Sequence, residues 1–320
     1  MRKGLCLGIL FIVIIGAGCV SYYYFFWNST LEPSADTAMR SHSQKRYIQR
    51  EHIFLENPLT GDNQMVKVFY TTLDAPAIIV VPGGGGSSKN FEHMAVEGAQ
   101  NFVMITFDPL GRGESEGTET MYGIEDQAFL YELYMFGKEK GNGSLSIATF
   151  SYGITMAAGA LATYDIQIDM WIDWEGPHER TMVTGYCLED KKGMNALSGE
   201  EKNQIRTEML QRISQGIAPS ACTDEEYWSE REAVHTIEHI APSQIKVYVR
   251  LQGAHDHVHG RFYAHALEMI NTMTAHGFTT QLNKAAQNRI YTETSLLPVL
   301  LGPINSREMV LDILCTYYYA

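Results

Sequence analysis

The chain reads as an α/β protein: a mostly parallel sheet of about eight strands flanked by helices, with a helical insertion late in the sheet. Three observations predict this. Short apolar runs stop abruptly at glycine or polar turns: "APAIIVVP" runs into Gly83 to Gly86, "NFVMITFD" into "PLGRGESEG", and "SLSIATF" into Ser151. Segments with apolar residues at helical spacing lie between the runs, and such alternation argues for parallel strands with helices on both faces. The composition suits a large core, with 45% hydrophobic and 19% charged residues in a chain of 320.

At the start, Arg2 and Lys3 precede the uncharged stretch from Gly4 to Trp27, long enough to cross a bilayer at about 20 apolar residues per span. Residues 1–27 therefore read as a membrane anchor or signal segment. A cleaved signal, a lipoprotein signal with Cys19 as the lipidated residue and a retained anchor all suit it. The next positive charge after Lys3 is Arg40, so the positive-inside rule places the body outside the cytoplasm, tethered or secreted. Residues 28–46 are polar and small, as a linker is.

The folded domain is expected over residues 47–320. It opens with strand-like stretches at Tyr47 to Leu55 and Met65 to Leu73 around the turn-rich "ENPLTGDN", which predicts a hairpin. Beyond the two glycine-ended strands, Phe129, Leu130, Leu133, Tyr134 and Phe136 predict a helix from Ile124 to Lys138. "ITMAAGALATY" predicts a small-residue helix that packs close to the sheet, and "IQIDMWIDW" another strand. Residues 177–241 are charged and helical in pattern, with a capping box at Ser198 and Glu201, and predict an inserted lid. The sheet resumes with "IKVYVRLQG", a helix in "RFYAHALEMINTMTAHG" that Gly277 stops, and a last strand in "FTTQLNK".

The net charge of −13 and the lack of a basic stripe oppose a nucleic-acid partner, whose affinity is drawn from clustered Lys and Arg. Outside the leader the cysteines are Cys187, Cys222 and Cys315. The first two lie in the insertion, where an oxidising compartment permits a bridge and leaves Cys315 as a thiol. No C-x-x-C or zinc-type spacing occurs, so neither a structural metal nor a cofactor is assigned.

Acyl-transfer chemistry needs an exposed hydroxyl, a base, a group that orients the base, and donors aimed at the developing oxyanion. Ser151 ends a strand in Thr149-x-Ser151-x-Gly153, where the glycine lets a following helix turn in closely and the Tyr152 N–H becomes an oxyanion donor. Alone, the pattern is more often that of a serine capping a helix. The glycine loop after "IIVV" supplies a second donor, assigned to Gly84. It lacks the lysine of a P-loop, which argues against a phosphate cradle.

Taken in order, "VVPGGGG", "FDPLGRGES", "TFSYG" and "LQGAHDHV" resemble the α/β-hydrolases over roughly residues 47 to 285, with Asp108, Gly111, Gly113 and Ser115 in register with the segment after the fourth strand. The resemblance implies an esterase, lipase or peptidase-like hydrolase, acting on a small or lipid-like ester or amide, and matches Asp256 to the family's acid. It departs at the base. The family's histidine follows the last strand, here near residues 282–293, and no histidine exists beyond His276. His276 itself is expected at the end of a helix, where the dipole favours it.

His257 beside Asp256 is the substitute base, with Asp173 or Glu175 as a neighbouring carboxylate to orient it. His265, within a helix, and His178, reaching the site only when a lid closes, are the other choices. His255, His257 and His259 also suggest a metal set, but a fourth ligand at recognisable spacing is missing. The catalytic set expected is thus Ser151, Asp256 and His257, with Tyr152 and Gly84 as the oxyanion hole. The alternative is a catalytically silent, hydrolase-like binding protein, because a serine without a base does not ionise near neutral pH.

Overall fold

Uninterrupted burial along the central strands organises this chain. A computed structural model describes residues 47–174, 176–178, 224–251, 263–282 and 306–319. The chain divides into two units, Met1–Lys45 and Arg46–Ala320, and the expected anchor and linker lie outside the described residues. Among the described residues, no helix is long and apolar enough to cross a membrane.

The opening hairpin forms as expected, β1 (Gln49–Glu56) pairing antiparallel with β2 (Asn63–Tyr70). There follow β3 (Ala77–Val81), α1 (Glu92–Gly98), β4 (Val103–Phe107), α2 (Ile124–Lys140), β5 (Leu145–Phe150), α3 (Gly153–Thr163) and β6 (Ile168–Trp174). After the insertion come α4 (Glu225–Ser229), α5 (Ala233–Thr236), β7 (Ile245–Leu251), α6 (Tyr263–Ala275), β8 (Thr280–Leu282) and α7 (Ser306–Tyr319). The strands form one 8-stranded sheet in the order β1-β2-β4-β3-β5-β6-β7-β8. All pairs from β4 to β8 are parallel.

Successive strand residues face opposite sides, so an all-apolar strand feeds two cores. Val66, Ile79, Ile105 and Ile147 join Phe129 and Leu133 of α2 and Ile154 and Ala158 of α3 on one face. Ile78, Val80, Met104 and Ile172 meet Met94 of α1 and Val310 and Leu314 of α7 on the other. Small residues let α3 lie close: Gly153 through Leu161 are all buried.

Two elements had no counterpart in the sequence reading. One is α1; the other is α7, whose Tyr318 hydroxyl donates to Asp169 Oδ2 at 3.0 Å and lies 2.7 Å from Ser146 Oγ, tying the helix to the sheet. Of the lid expected over residues 177–241, residues 179–223 lie outside the described residues. Residues 224–241 break into α4, α5 and a 3-10 turn, because Ala233, Ile237 and Ile240 are buried in the core beneath α3.

Candidate active site

The parallel strands all point their carboxyl ends to one edge, and β5 ends there at Phe150. Ser151 follows with φ +49, a left-handed backbone that side chains avoid, held at a cost of about 1–3 kcal/mol. The turn is locked from outside. Ser151 N–H donates to Trp174 O at 2.8 Å, and Ile154 N–H returns to Ser151 O at 3.2 Å as α3 begins. Ser151 remains half-buried, and the Tyr152 N–H heads α3, where the first amides of a helix lack intrahelical acceptors.

Two glycines permit this crossing of chains. A Cβ on Gly153 would stand 2.5 Å from Pro82 O, and one on Gly83 would stand 3.1 Å from Ser151 Cβ. The sequence pattern anticipated both the turn and the loop beside it. Thr149, where a glycine is usual, fits because its hydroxyl is satisfied: Oγ1 donates to Ile172 O at 3.3 Å and accepts from Trp171 Nε1 at 3.1 Å.

The loop after β3 is braced by residues that sequence reasoning missed. Tyr122 hydroxyl lies 2.6 Å from Pro82 O and 2.9 Å from Gly83 O, and accepts from Arg112 Nη1 at 2.9 Å. Arg112 Nη1 also faces Gly83 O at 3.3 Å and Gly86 O at 3.4 Å, while Nη2 pairs with Glu119. Burial raises the Tyr122 hydroxyl pKa, so it stays a donor. The segment from Asp108 to Ser115 is a second brace. Asp108 accepts from Ser88 N–H and Glu114 N–H, both at 2.8 Å, and Ser115 Oγ donates to Asp108 O at 2.7 Å. Asp126 receives Leu110 N–H, Tyr122 N–H and the Thr120 hydroxyl, and burial raises its pKa. Arg112 stood in a quoted motif; nothing in the sequence singled out Tyr122.

Of the site residues expected, Ser151, Tyr152 and Gly84 come together: a Cβ on Gly84 would lie 3.5 Å from Tyr152 Cβ. Asp256 and His257 lie outside the described residues, as do His255, His259 and Glu175. His265 falls in α6. Three expectations can be weighed directly. Asp173 is fully buried and committed elsewhere, Oδ2 accepting from Tyr248 hydroxyl at 2.6 Å and Arg250 Nη1 at 2.5 Å, and Oδ1 from Gly176 N–H at 3.1 Å. These bonds brace the ends of β6 and β7. His178 is fully buried, and its carbonyl accepts from Val234 N–H at 3.1 Å. His276 does end its helix, exposed, with Nδ1 2.8 Å from Thr272 O. It precedes β8 and so lies at the sheet edge opposite Ser151.

Among the described residues, no group of three His, Cys, Asp or Glu is placed to hold a metal. Cys315 is a half-buried free thiol whose pKa burial raises; Cys187 and Cys222 lie outside the described residues.

No protein-family model and no curated protein matches the sequence. Solved structures do. Carboxyl esterase 2 from the mycorrhizal fungus Tuber melanosporum superposes with a TM-score of 0.51 at 9% identity, over 76% of this chain and 78% of that one. A vibralactone cyclase gives 0.50 at 12% identity, over 75% and 71%. The acylaminoacyl peptidase of Pyrococcus horikoshii gives 0.52 at 14% identity, over 75% of this chain but 37% of the peptidase. Identities so low speak for the fold alone. Strand order, the turn at Ser151 and these superpositions agree that the chain has the α/β-hydrolase fold.

Proposed function

We propose that the chain is a serine hydrolase that cleaves an ester or amide bond through an acyl-enzyme on Ser151. The observation that carries this reading is the left-handed backbone at Ser151, on a turn between β5 and α3 that otherwise calls for glycine. Strain of that kind persists where function needs the side chain raised from the sheet edge.

In this reaction Ser151 Oγ attacks the substrate carbonyl as its proton passes to a base. The N–H groups of Tyr152 and Gly84 receive the oxyanion, and the returned proton leaves with the alcohol or amine. Water then repeats the sequence on the acyl-enzyme. His257 is the base in this proposal and Asp256 its acid partner, on the segment that leaves β7 at the same edge as Ser151. The substrate class follows as small or lipid-like esters and amides. The apolar residues 4–27 would tether the domain on the extracytoplasmic side of a membrane, or direct its secretion.

A fluorophosphonate probe tests the reading. Labelling of the purified folded chain at Ser151, abolished in Ser151→Ala, is expected; a folded chain that stays unlabelled overturns it. One observation favours the silent-protein reading, namely that no histidine follows His276 and that His276 faces the wrong edge. Turnover of p-nitrophenyl esters separates the two, since equal traces from wild type, Ser151→Ala and His257→Ala belong to a silent protein.

A further inference from the structure

Four consecutive glycines make a poor oxyanion loop by themselves, because each ranges freely over φ and ψ, and the loop's own bond, Gly86 N–H to Gly83 O at 2.9 Å, closes a turn without fixing which way that turn faces. We propose that Tyr122 and Arg112 are the positioning residues that aim it, by holding the Gly83 carbonyl on the side away from Ser151 so that the Gly84 N–H faces the reacting carbonyl. The inference rests on the serine-hydrolase reading above.

A trans peptide is planar, with the carbonyl of one residue and the N–H of the next pointing in opposite directions. Fixing Gly83 O therefore fixes the Gly84 N–H. The grip on Gly83 O comes from Tyr122 hydroxyl at 2.9 Å, Arg112 Nη1 at 3.3 Å and Gly86 N–H at 2.9 Å. The same hydroxyl lies 2.6 Å from Pro82 O, so its one proton is shared between the carbonyls of both peptides entering the loop. Arg112 is itself held, its Cζ 4.7 Å from the Tyr122 ring centroid and its Nη2 paired with Glu119.

Backbone strain marks the same place. Among the described residues, the non-glycine residues with positive φ are Met121 at +53, Tyr122 at +64 and Ser151 at +49. The strained Met121–Tyr122 pair delivers the hydroxyl to Gly83, and the strained Ser151 lies so near that a Cβ on Gly83 would stand 3.1 Å from its Cβ. The Tyr122 ring also lies 5.8 Å from the Tyr152 ring, so one residue touches both segments that carry oxyanion donors. Asp126, accepting the Tyr122 N–H at 3.1 Å, holds that conformation in place.

Tyr122→Phe removes the hydroxyl and keeps the ring. Loss of an entire oxyanion donor costs about 10²–10³ in kcat; with Arg112 and Gly86 still gripping Gly83 O, kcat for p-nitrophenyl acetate is expected to fall about tenfold. KM should stay within about twofold, because the tie acts on the transition state. The affinity of benzeneboronic acid, whose tetrahedral adduct needs the same donors, should fall by the same factor as kcat. Arg112→Lys, which keeps the charge opposite Glu119 but loses the planar fork, should reproduce the pattern. An active wild type beside a folded Tyr122→Phe with unchanged kcat and boronate affinity, or with KM alone altered, overturns the positioning role. A wild type that neither turns over ester nor takes the fluorophosphonate overturns the hydrolase reading instead, and this role with it.

Discussion

Gly153→Ala tests the crossing of chains on which the site is built. The added methyl would sit 2.5 Å from Pro82 O, 3.0 Å from Val81 O and 3.1 Å from Val81 Cγ1. Carbon to carbonyl-oxygen contacts close at about 3.3 Å, so α3 and the end of β3 must part by about 0.8 Å. Two of the obstructing atoms are backbone in a buried strand end, so no side chain can rotate away. Overpacking of this kind costs about 1–3 kcal/mol. Alanine recovers up to about 1 kcal/mol by restricting the unfolded chain, which at full recovery leaves a net loss of only about 0–2 kcal/mol in urea unfolding. The function should suffer more than the stability. The retreat moves Pro82 and Gly83, which carry the oxyanion loop, and a displacement of about 1 Å at a catalytic group is worth about 100-fold in rate. Fluorophosphonate labelling of Ser151 should therefore slow by about that factor in a protein that is still folded. A Gly153→Ala chain with both wild-type stability and a wild-type labelling rate would show that β3 and α3 do not approach this closely, and the account of the turn would fail.

Other outcomes follow from individual contacts. Arg250→Met should cost about 3–5 kcal/mol in urea unfolding, because it leaves Asp173 fully buried without its cation; a loss below 1 kcal/mol would mean the pair is hydrated. Thr149→Val keeps the shape but strands the Trp171 indole N–H, and should cost about 1–3 kcal/mol, with Thr149→Ser restoring most of it. Glu51 has its pKa lowered by Lys140, with Nζ 2.7 Å away, and by the Tyr70 hydroxyl. A lowered carboxylate contributes stability above its unfolded pKa and loses it as pH falls through the folded one. Glu51→Gln should thus be less stable than wild type by about 0.5 kcal/mol near neutral pH, with the two curves converging below about pH 4; a gap that persists in acid would refute the ion pair as its source.

What the sequence determined by itself was periodic or local. Apolar runs such as "AIIVV" and "VMITF" must bury both faces, which demands a sheet covered on each side, and Ser151-x-Gly153 after such a run already implies a sharp turn at its end. The hairpin, the small-residue helix and the stop at Gly277 were legible on the same grounds. Only the tertiary structure could decide which polar groups meet. Tyr122 is 39 residues from the Gly83 carbonyl it holds, and Arg250 lies 77 from Asp173, so no local pattern links either pair. For the same reason Asp173 read as a free carboxylate at a strand end, although in the fold it neutralises a buried arginine. The physical reason is the range of the forces. Backbone propensity and hydrophobic alternation act between near neighbours, whereas a buried hydroxyl or charge is satisfied by whatever the packed sheet brings within about 3 Å of it.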